Sequence, residues 1–181
     1  MSTRKHASSV KLRQLERRDL PTLKAIFQNE YKEVTRHSDY GIPLRLRKPT
    51  SKELEERIED AYKSTLSHDN FYYVIEADGK IAGICNIVKK DIPDSEMSHV
   101  GILGITILEK YRGMGLGTKL MKYALEHCRN QFKIIELSVF ASNEAAKRIY
   151  EKFGFKTWGI APGYVKRGRR YIDMEYMYLK L

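Results

Sequence analysis

The sequence predicts a mixed α/β fold with about seven strands and about four helices. Segments with period-two apolar alternation are interleaved with segments whose apolar residues recur at helical spacing. Apolar residues make up 42% of the 181 residues, which is enough for a sizeable core. No repeat or Ser/Gly linker divides the chain, so we expect a single domain over residues 1–181, with residues 1–8 as a flexible N-terminus.

The first half of the chain predicts one strand, two helices and a hairpin. Val10 to Leu15 alternates as a strand, and Asp19 can cap the helix that follows. Residues 50–53 fit a capping box at the start of the second helix. Two further strands lie within residues 71–88 and are joined by Asp78-Gly79, a strong hairpin turn signal.

The second half of the chain predicts strands and helices in alternation. The elements are a strand over 100–108, a helix after a glycine loop, a strand over 135–139, a short helix after Ser142 or Asn143, and strands over 155–160 and 171–181. A basic loop with Pro162, Gly163 and Gly168 separates the last two strands. The final strand, if exposed, could pair across a homodimer, and coverage within the monomer is the alternative.

Charge and composition narrow the classes of partner. Lys and Arg total 33 against 23 for Asp and Glu, and the net charge of +10 favours an anionic partner such as a phosphorylated cofactor, nucleic acid or acidic membrane. No apolar run approaches the roughly 20 residues of a membrane helix, so we expect a cytoplasmic protein without membrane contact. Cys85 and Cys128 predict two buried thiols and no metal site.

A glycine loop between a strand and a helix is the most informative segment. It reads Arg112-Gly113-Met114-Gly115-Leu116-Gly117-Thr118. Glycines let backbone N–H groups converge, and a helix start adds unpaired donors, so a phosphate or pyrophosphate is the natural ligand. A P-loop would need Gly-Lys-Ser/Thr, and a dinucleotide fingerprint would need G-x-G-x-x-G; neither fits, whereas R-x-x-G-x-G does.

That pattern resembles the coenzyme A signature of the GNAT superfamily of N-acetyltransferases. Residues 105–112 resemble the family's strand-to-loop approach, and Asn143-Glu144-Ala145-Ala146, Tyr150 and Phe153-Gly154-Phe155 resemble its second half-motif. The resemblance implies a central, mostly antiparallel twisted sheet and transfer of acetyl from acetyl-CoA, as co-substrate, to a primary amine in a ternary complex. It implies that the coenzyme is bound by Ile105, Ile107, Arg112, Gly113, Met114, Gly115, Leu116, Gly117, Thr118, Asn143 and Tyr150.

The resemblance also suggests roles for individual residues. The developing oxyanion needs a donor, for which the backbone N–H of Ile107 is expected, in a strand that splays from its neighbour in the family. The departing thiolate gains from a proton, and Tyr150 is expected to supply it; a plain core aromatic is the alternative. Asn143 is expected to bind the coenzyme, to cap a helix, or both.

The general base is where the sequence departs from the family. Many relatives carry a glutamate at the position of Gly101. His99 shares its strand face by alternation and has a suitable reference pKa, so it is one candidate base. Glu96, Asp173, Glu175, a water chain and the absence of any dedicated base remain open.

The resemblance also implies an acceptor site lined by the loop after the first helix and the loop between the last two strands, which here are residues 37–49 and 159–170. Tyr40, Tyr164 and Asp173 are the expected contacts, and an amino acid, a peptide N-terminus or a small amine is the expected acceptor. A catalytically weak, acetyl-CoA-binding regulatory protein is the alternative. A nucleic-acid binder is not expected, because no RNP, zinc-finger or helix-turn-helix signature is present.

Overall fold

The computed structural model describes residues 7–36, 48–66, 70–90 and 96–181. The predicted acceptor contact Tyr40 lies outside these ranges, as do residues 1–6 of the predicted flexible N-terminus. Ala7, the first described residue, packs against the main core. Of the described helices, none combines the length and apolar character needed to cross a bilayer.

The described residues form seven strands and four α-helices in the predicted order. The bounds are β1 Val10–Gln14, α1 Leu20–Arg36, α2 Ser51–Leu66, β2 Asn70–Ala77, β3 Lys80–Lys89, β4 Val100–Ile107, α3 Leu116–Cys128, β5 Ile134–Phe140, α4 Glu144–Lys152, β6 Lys156–Arg167 and β7 Arg170–Lys180. All seven strands belong to one sheet with the order β1-β2-β3-β4-β5-β7-β6. Only β4 and β5 are parallel neighbours among these described strands, so the sheet is mostly antiparallel, as predicted.

Several local signals produce the expected structure. Asp78 and Gly79 have φ angles of 51° and 72°, as a two-residue hairpin turn with a right-handed twist requires. At the start of α2, Glu53 N donates to Thr50 Oγ1 at 3.2 Å and Thr50 N donates to Glu53 Oε2 at 2.8 Å, which completes the capping box. Both cysteines are free and buried, as predicted.

Asp19 does not cap α1 as expected. It belongs to a short 3-10 turn over Arg17–Asp19, where its carboxylate accepts from Glu16 N at 2.9 Å and from both terminal nitrogens of Arg13 at 2.6 and 2.9 Å. Burial raises the pKa of Asp19, but the hydrogen bonds from Arg13 and Glu16 more than offset it and hold that pKa below its ordinary value. Arg13 also bonds Glu76, so this ion cluster joins β1 to β2.

The last two strands differ from the prediction in extent. β6 does not end at Ile160 but continues to Arg167, so the expected basic loop is mostly strand. A register irregularity between Ala161 and Val165 accommodates Pro162. Because β6 is an edge strand, a proline there costs no interior ladder hydrogen bond, which the sequence pattern did not take into account.

Of the two alternatives left open for the final strand, the structure shows coverage within the monomer. β7 lies between β5 and β6, and Met177 is fully buried. The edges of the described sheet are β1 and β6 instead. β6 therefore covers the outer edge of β7 within the monomer, and β7 offers no free edge for pairing across a dimer.

Two layers of helices cover the sheet. α3 buries the predicted apolar face against the main core, and α4 packs on the same side through Tyr150. α1 and α2 cover part of the opposite side, where Leu23, Leu54 and Ile58 pack on Val74 of β2. This arrangement leaves β4 and β5 in the interior of the sheet, with helices packed on both faces of the sheet.

Candidate active site

A cleft opens where β4 and β5 separate. Within these described strands, pairing covers Val100–Ile102 of β4 and Ile134–Glu136 of β5, and the remaining residues of the two strands diverge. The gap is part of a cleft of about 480 Å³, a volume within the usual range for small-molecule sites. The splay that the family resemblance implied is therefore present.

Backbone N–H groups of β4 point into this gap. Val100 O accepts from Lys90 N, and Leu108 N donates to Ala82 O, each at 2.9 Å, so the even-numbered residues of β4 direct their polar groups towards β3. Alternation then directs the N–H groups of Ile105 and Ile107 the opposite way, towards the side where β5 has left. Both residues line the cleft. The arrangement places two backbone donors along one wall.

The glycine loop closes one end of the cleft. Gly113 and Gly115 adopt left-handed φ angles of 75° and 74°, and a Cβ at either would meet no atom within 4 Å. Gly115 is the N-cap of α3, a helix of 13 residues whose first turn carries no acidic residue. At Gly117 an added Cβ would lie 3.4 Å from Ile107 Cγ1, so this glycine lets α3 approach β4 closely. The loop can therefore present backbone N–H groups and a helix N-terminus to an anion.

Most predicted coenzyme contacts of the loop line the cleft, namely Arg112, Gly113, Gly115, Leu116, Gly117 and Thr118. Met114 differs, since it is half-buried and packs against the main core. The Met114 side chain therefore anchors the loop to the core.

The guanidinium of Arg112 is hydrogen-bonded to two other residues of the chain. Its Nε donates to Ile107 O at 2.9 Å, Nη2 donates to Glu33 Oε2 at 3.0 Å, and Nη1 pairs with the other Glu33 oxygen. Glu33 lies near the end of α1, lines the cleft, and has a side chain only 15% exposed. The sequence offered no sign of this pair, since the two residues are 79 positions apart.

α4 supplies part of the opposite wall. Asn143 is the N-cap of α4, where its side chain accepts from Ala146 N at 3.2 Å, and it lines the cleft as well. Tyr150 lines the cleft from the last turn of α4 and belongs to the main core, with its ring centroid 5.9 Å from that of Phe155. The core position and the cleft position expected for Tyr150 are therefore compatible.

The structure does not bring His99 to the cleft. His99 is exposed in the turn before β4, eight residues from Ile107, which corresponds to about 26 Å along an extended strand. Its backbone oxygen instead accepts from Lys133 N at 2.8 Å. Alternation correctly indicates a shared face but says nothing about distance along the strand, which is why it suggested His99. Glu96, in the same turn, does not line the cleft either.

The Gly101 position has no room for a carboxylate. An added Cβ would lie 2.7 Å from Ile87 Cγ2 and 3.1 Å from both Ile135 Cδ1 and Phe132 Cδ2. These neighbours are apolar and buried. The position at which the family resemblance implied a glutamate therefore has no space for one.

The expected acceptor contacts divide between the two sides of the β6–β7 hairpin. Tyr164 contacts Tyr176 edge to face at 6.0 Å. Asp173 does not line the cleft; it accepts from Gly163 N at 2.7 Å and stabilises the irregularity in β6. Glu175 is also occupied, with Thr157 Oγ1 at 2.5 Å and Lys147 Nζ at 3.3 Å. Neither carboxylate is placed to serve as a base.

Comparison with known sequences agrees with this geometry. The sequence model of the Acetyltransferase (GNAT) family matches residues 30–155. That segment includes the cleft-lining residues from Glu33 to Tyr150. The chain therefore belongs to the GNAT acetyltransferase family.

Two curated relatives illustrate the range of the family. The L-amino acid N-acetyltransferase AaaT of Escherichia coli is 33% identical over 102 residues, which cover 55% of this chain and 62% of that protein. A putative [ribosomal protein bS18]-alanine N-acetyltransferase of Bacillus subtilis is 37% identical over 94 residues, or 51% of this chain and 58% of that protein. In each case the match spans about three fifths of the relative's length.

Solved structures share the fold over nearly the whole chain. A GNAT-family acetyltransferase from Streptococcus pneumoniae superposes with a TM-score of 0.76 at 25% identity, covering 96% of this chain and 100% of that one. The structure of yncA, a putative acetyltransferase from Salmonella typhimurium with its cofactor acetyl-CoA, gives a TM-score of 0.81 at 17% identity, covering 96% and 95%.

The packing at Gly101 yields a stability prediction. We expect Gly101→Glu to lower the free energy of unfolding by about 3 kcal/mol or more, because it buries an unpaired carboxylate among apolar side chains. Ile102→Glu, at the next position on the opposite, 39% exposed face, should cost about 1 kcal/mol or less. Urea unfolding of both variants measures the difference. Equal stability of the two would contradict the described packing around Gly101.

Proposed function

We propose that this chain, as one domain over residues 1–181, transfers acetyl from acetyl-CoA to a primary amine by direct attack within a ternary complex. The observation that carries the proposal is the splayed pair of β4 and β5, with the N–H groups of Ile105 and Ile107 aimed into the gap. The glycine loop at the end of the same cleft supplies an anion cradle. A thioester linked to a diphosphate by an extended arm matches this combination.

The residues present fit acetyl-CoA without adjustment. The diphosphate would lie against the backbone of residues 113–118 at the N-terminus of α3. The amide-containing arm would run between β4 and β5, where it can take the place of the missing neighbouring strand and accept from the backbone N–H of Ile105. Apolar side chains such as Leu103 and Ile149 line the same cleft. When bound, the coenzyme supplies an activated acetyl group.

Three residues of the chain have roles in the proposed reaction. As the amine attacks, negative charge develops on the acetyl oxygen, and the Ile107 N–H is positioned to stabilise it. Tyr150 is the hydroxyl that we propose protonates the departing thiolate, since its side chain lines the cleft and is held by core packing. Asn143, which both caps α4 and lines the cleft, would contact the bound coenzyme.

Deprotonation of the amine is assigned to water. Glu33 is the single carboxylate among the described residues that line the cleft, and its two oxygens already accept from Arg112. An amine must lose its proton before attack, because an ammonium has no lone pair. Without a dedicated base, the rate should follow the fraction of neutral amine in solution as the pH rises.

Arg112 and Glu33 act as positioning residues in this proposal. Arg112 Nε bonds Ile107 O, so the guanidinium fixes the peptide groups at the end of β4. Glu33 in turn fixes the guanidinium from α1. Arg112 thus orients the donor strand, while the loop backbone binds the phosphates.

The acceptor is proposed to carry an α-amine. The two curated relatives named above have an L-amino acid and a ribosomal-protein alanine in their names, and both of these acceptors present an α-amino group. The described part of the cleft carries no carboxylate without a partner that could hold a second ammonium group. This supports an amino acid or a peptide N-terminus over a polyamine.

The loop geometry predicts a specific loss of coenzyme affinity. Gly115→Ala should weaken acetyl-CoA binding by about 5- to 30-fold, because a side chain at φ 74° costs about 1–2 kcal/mol and the loop shifts to relieve it. Gly168→Ala places an equal strain at φ 62° in the β6–β7 turn, away from the cleft, and should leave affinity unchanged. Titration calorimetry compares the two. Equal dissociation constants would argue against the cradle.

The role of Tyr150 predicts a loss of turnover without a loss of binding. Tyr150→Phe should lower kcat by about a hundredfold, since general acids contribute at least that much, while acetyl-CoA affinity stays near wild type. Tyr111→Phe is the control, because it removes another hydroxyl from the cleft wall, at the loop end. Steady-state assays across pH test both variants. Unchanged turnover of Tyr150→Phe at every pH would exclude the acid role.

The Glu33–Arg112 pair predicts a separation of kcat from affinity. Glu33→Gln keeps the shape but removes the charge, and should lower kcat about tenfold, because a loosened oxyanion donor costs less than a deleted one. Acetyl-CoA affinity should change less, about twofold at most. Glu55→Gln, which breaks an exposed pair with Lys24 at the α1–α2 contact, is the control. A Glu33→Gln variant with normal kcat and weakened coenzyme binding would overturn the positioning role.

A further inference from the structure

A cluster of exposed aromatic rings lies beside the cleft. Trp158 and Tyr164 of β6 both contact Tyr176 of β7, with ring centroids 5.6 and 6.0 Å away. Trp158 is 59% exposed and Tyr164 is 64% exposed. Large aromatic surfaces left in water at one place usually mark a site that something apolar covers.

The cluster is continuous with the wall of the cleft. Ser138 of β5 lines the cleft and pairs directly with Tyr176 across the β5–β7 ladder. Directly opposite residues of an antiparallel pair point to the same face, with Cβ atoms about 5 Å apart. The rings therefore begin two residues beyond Glu136, the last residue of β5 that pairs with β4. If the amino group of an acceptor enters the gap between β4 and β5, the rest of that acceptor molecule lies over these rings.

The charges around the cluster limit what can lie there. Glu136, on the same face of β5 as Ser138, is paired with Lys90 Nζ at 2.8 Å. Asp173 and Glu175 alternate with Tyr176 along β7, so their carboxylates lie on the opposite face of the sheet. The Arg167 guanidinium stands 5.1 Å from the ring centroid of Phe140, two residues along β5 from Ser138. This surface repels a second ammonium and favours a carboxylate.

We propose that Trp158, Tyr164 and Tyr176 form the acceptor subsite and select a free α-amino acid with a large apolar side chain. This inference rests on the proposed acetyl transfer and adds its substrate class. The side chain of the amino acid lies on the Trp158 and Tyr176 rings. Its α-carboxylate lies on the part of the hairpin that carries Arg167. The α-amine then points towards Ser138 and the gap.

Substrate preference tests the subsite, and turnover is measured as the coenzyme A thiol released from acetyl-CoA. We expect kcat/KM for L-phenylalanine and L-leucine to exceed that for L-alanine by about tenfold or more, because each buries more apolar surface on the rings. Trp158→Ala should reduce this ratio towards one without unfolding the protein, since the side chain is largely exposed. Tyr171→Ala removes an equally exposed ring, at 65%, from the opposite face of the same hairpin and should preserve the ratio.

Fluorescence provides a readout that does not need turnover. Trp158 is the only tryptophan of the chain, so indole emission reports on this site alone. Saturation with L-leucine should move the emission to shorter wavelength, and L-alanine at equal concentration should move it much less. If emission shifts but no thiol is released with any amine, the proposed acetyl transfer fails while the subsite stands.

Other outcomes would overturn the subsite. Equal kcat/KM for alanine and phenylalanine would do so, as would a preference for spermidine. Acetylation of a phenylalanyl dipeptide but not of free phenylalanine would replace the free amino acid with a peptide N-terminus. In each of these cases thiol release would still show that acetyl transfer occurs.

Discussion

The divergence of β4 from β5 is the constraint on which the rest of the structure depends. Two adjacent parallel strands normally satisfy each other's backbone groups along their full length. Here they pair over three residues and then part, so the N–H groups of Ile105 and Ile107 face a cleft. Backbone N–H groups that lack a neighbouring strand need another partner, and an extended ligand carrying amide and thioester oxygens can provide one. The cleft is therefore a gap in the sheet that a substrate would complete.

Keeping the gap open requires support from both ends. At the paired end, Gly101 fits closely among Ile87, Ile135 and Phe132, which holds β4 against its neighbours before the split. At the open end, Arg112 bonds the last carbonyl of β4 and is itself held by Glu33 of α1. α3 packs tightly on the same strand end, because Gly117 allows close approach to Ile107. The donor groups are thus oriented before any ligand arrives, which is the condition for efficient electrostatic stabilisation.

Local sequence patterns predicted the frame and the position of the glycine loop well. The order of elements, the buried face of α3, the capping box at Thr50 and the turn at Asp78-Gly79 depend on contacts within a few residues, and such contacts leave clear periodicities and turn residues. The same holds for the loop from Arg112 to Thr118, apart from the inward turn of Met114.

Features set by distant contacts could not be predicted in the same way. Glu33 meets Arg112 across 79 positions, and nothing near Glu33 in the sequence announces the pair. His99 had the right chemistry and the right strand face but lies at the wrong end of the strand, because alternation contains no information about where the neighbouring strand departs. The extent of β6 was missed since its proline and glycines resemble a loop, whereas an edge strand tolerates them.

Backbone amide NMR during titration with acetyl-CoA tests the central claim most directly. The amides of Ile105 and Ile107 should move downfield and become protected from hydrogen exchange, while the amide of Gly104, which faces β3, should change little. If saturating acetyl-CoA shifts the loop amides of residues 113–118 but leaves Ile105 and Ile107 unchanged and unprotected, the gap between β4 and β5 is not where the thioester arm binds.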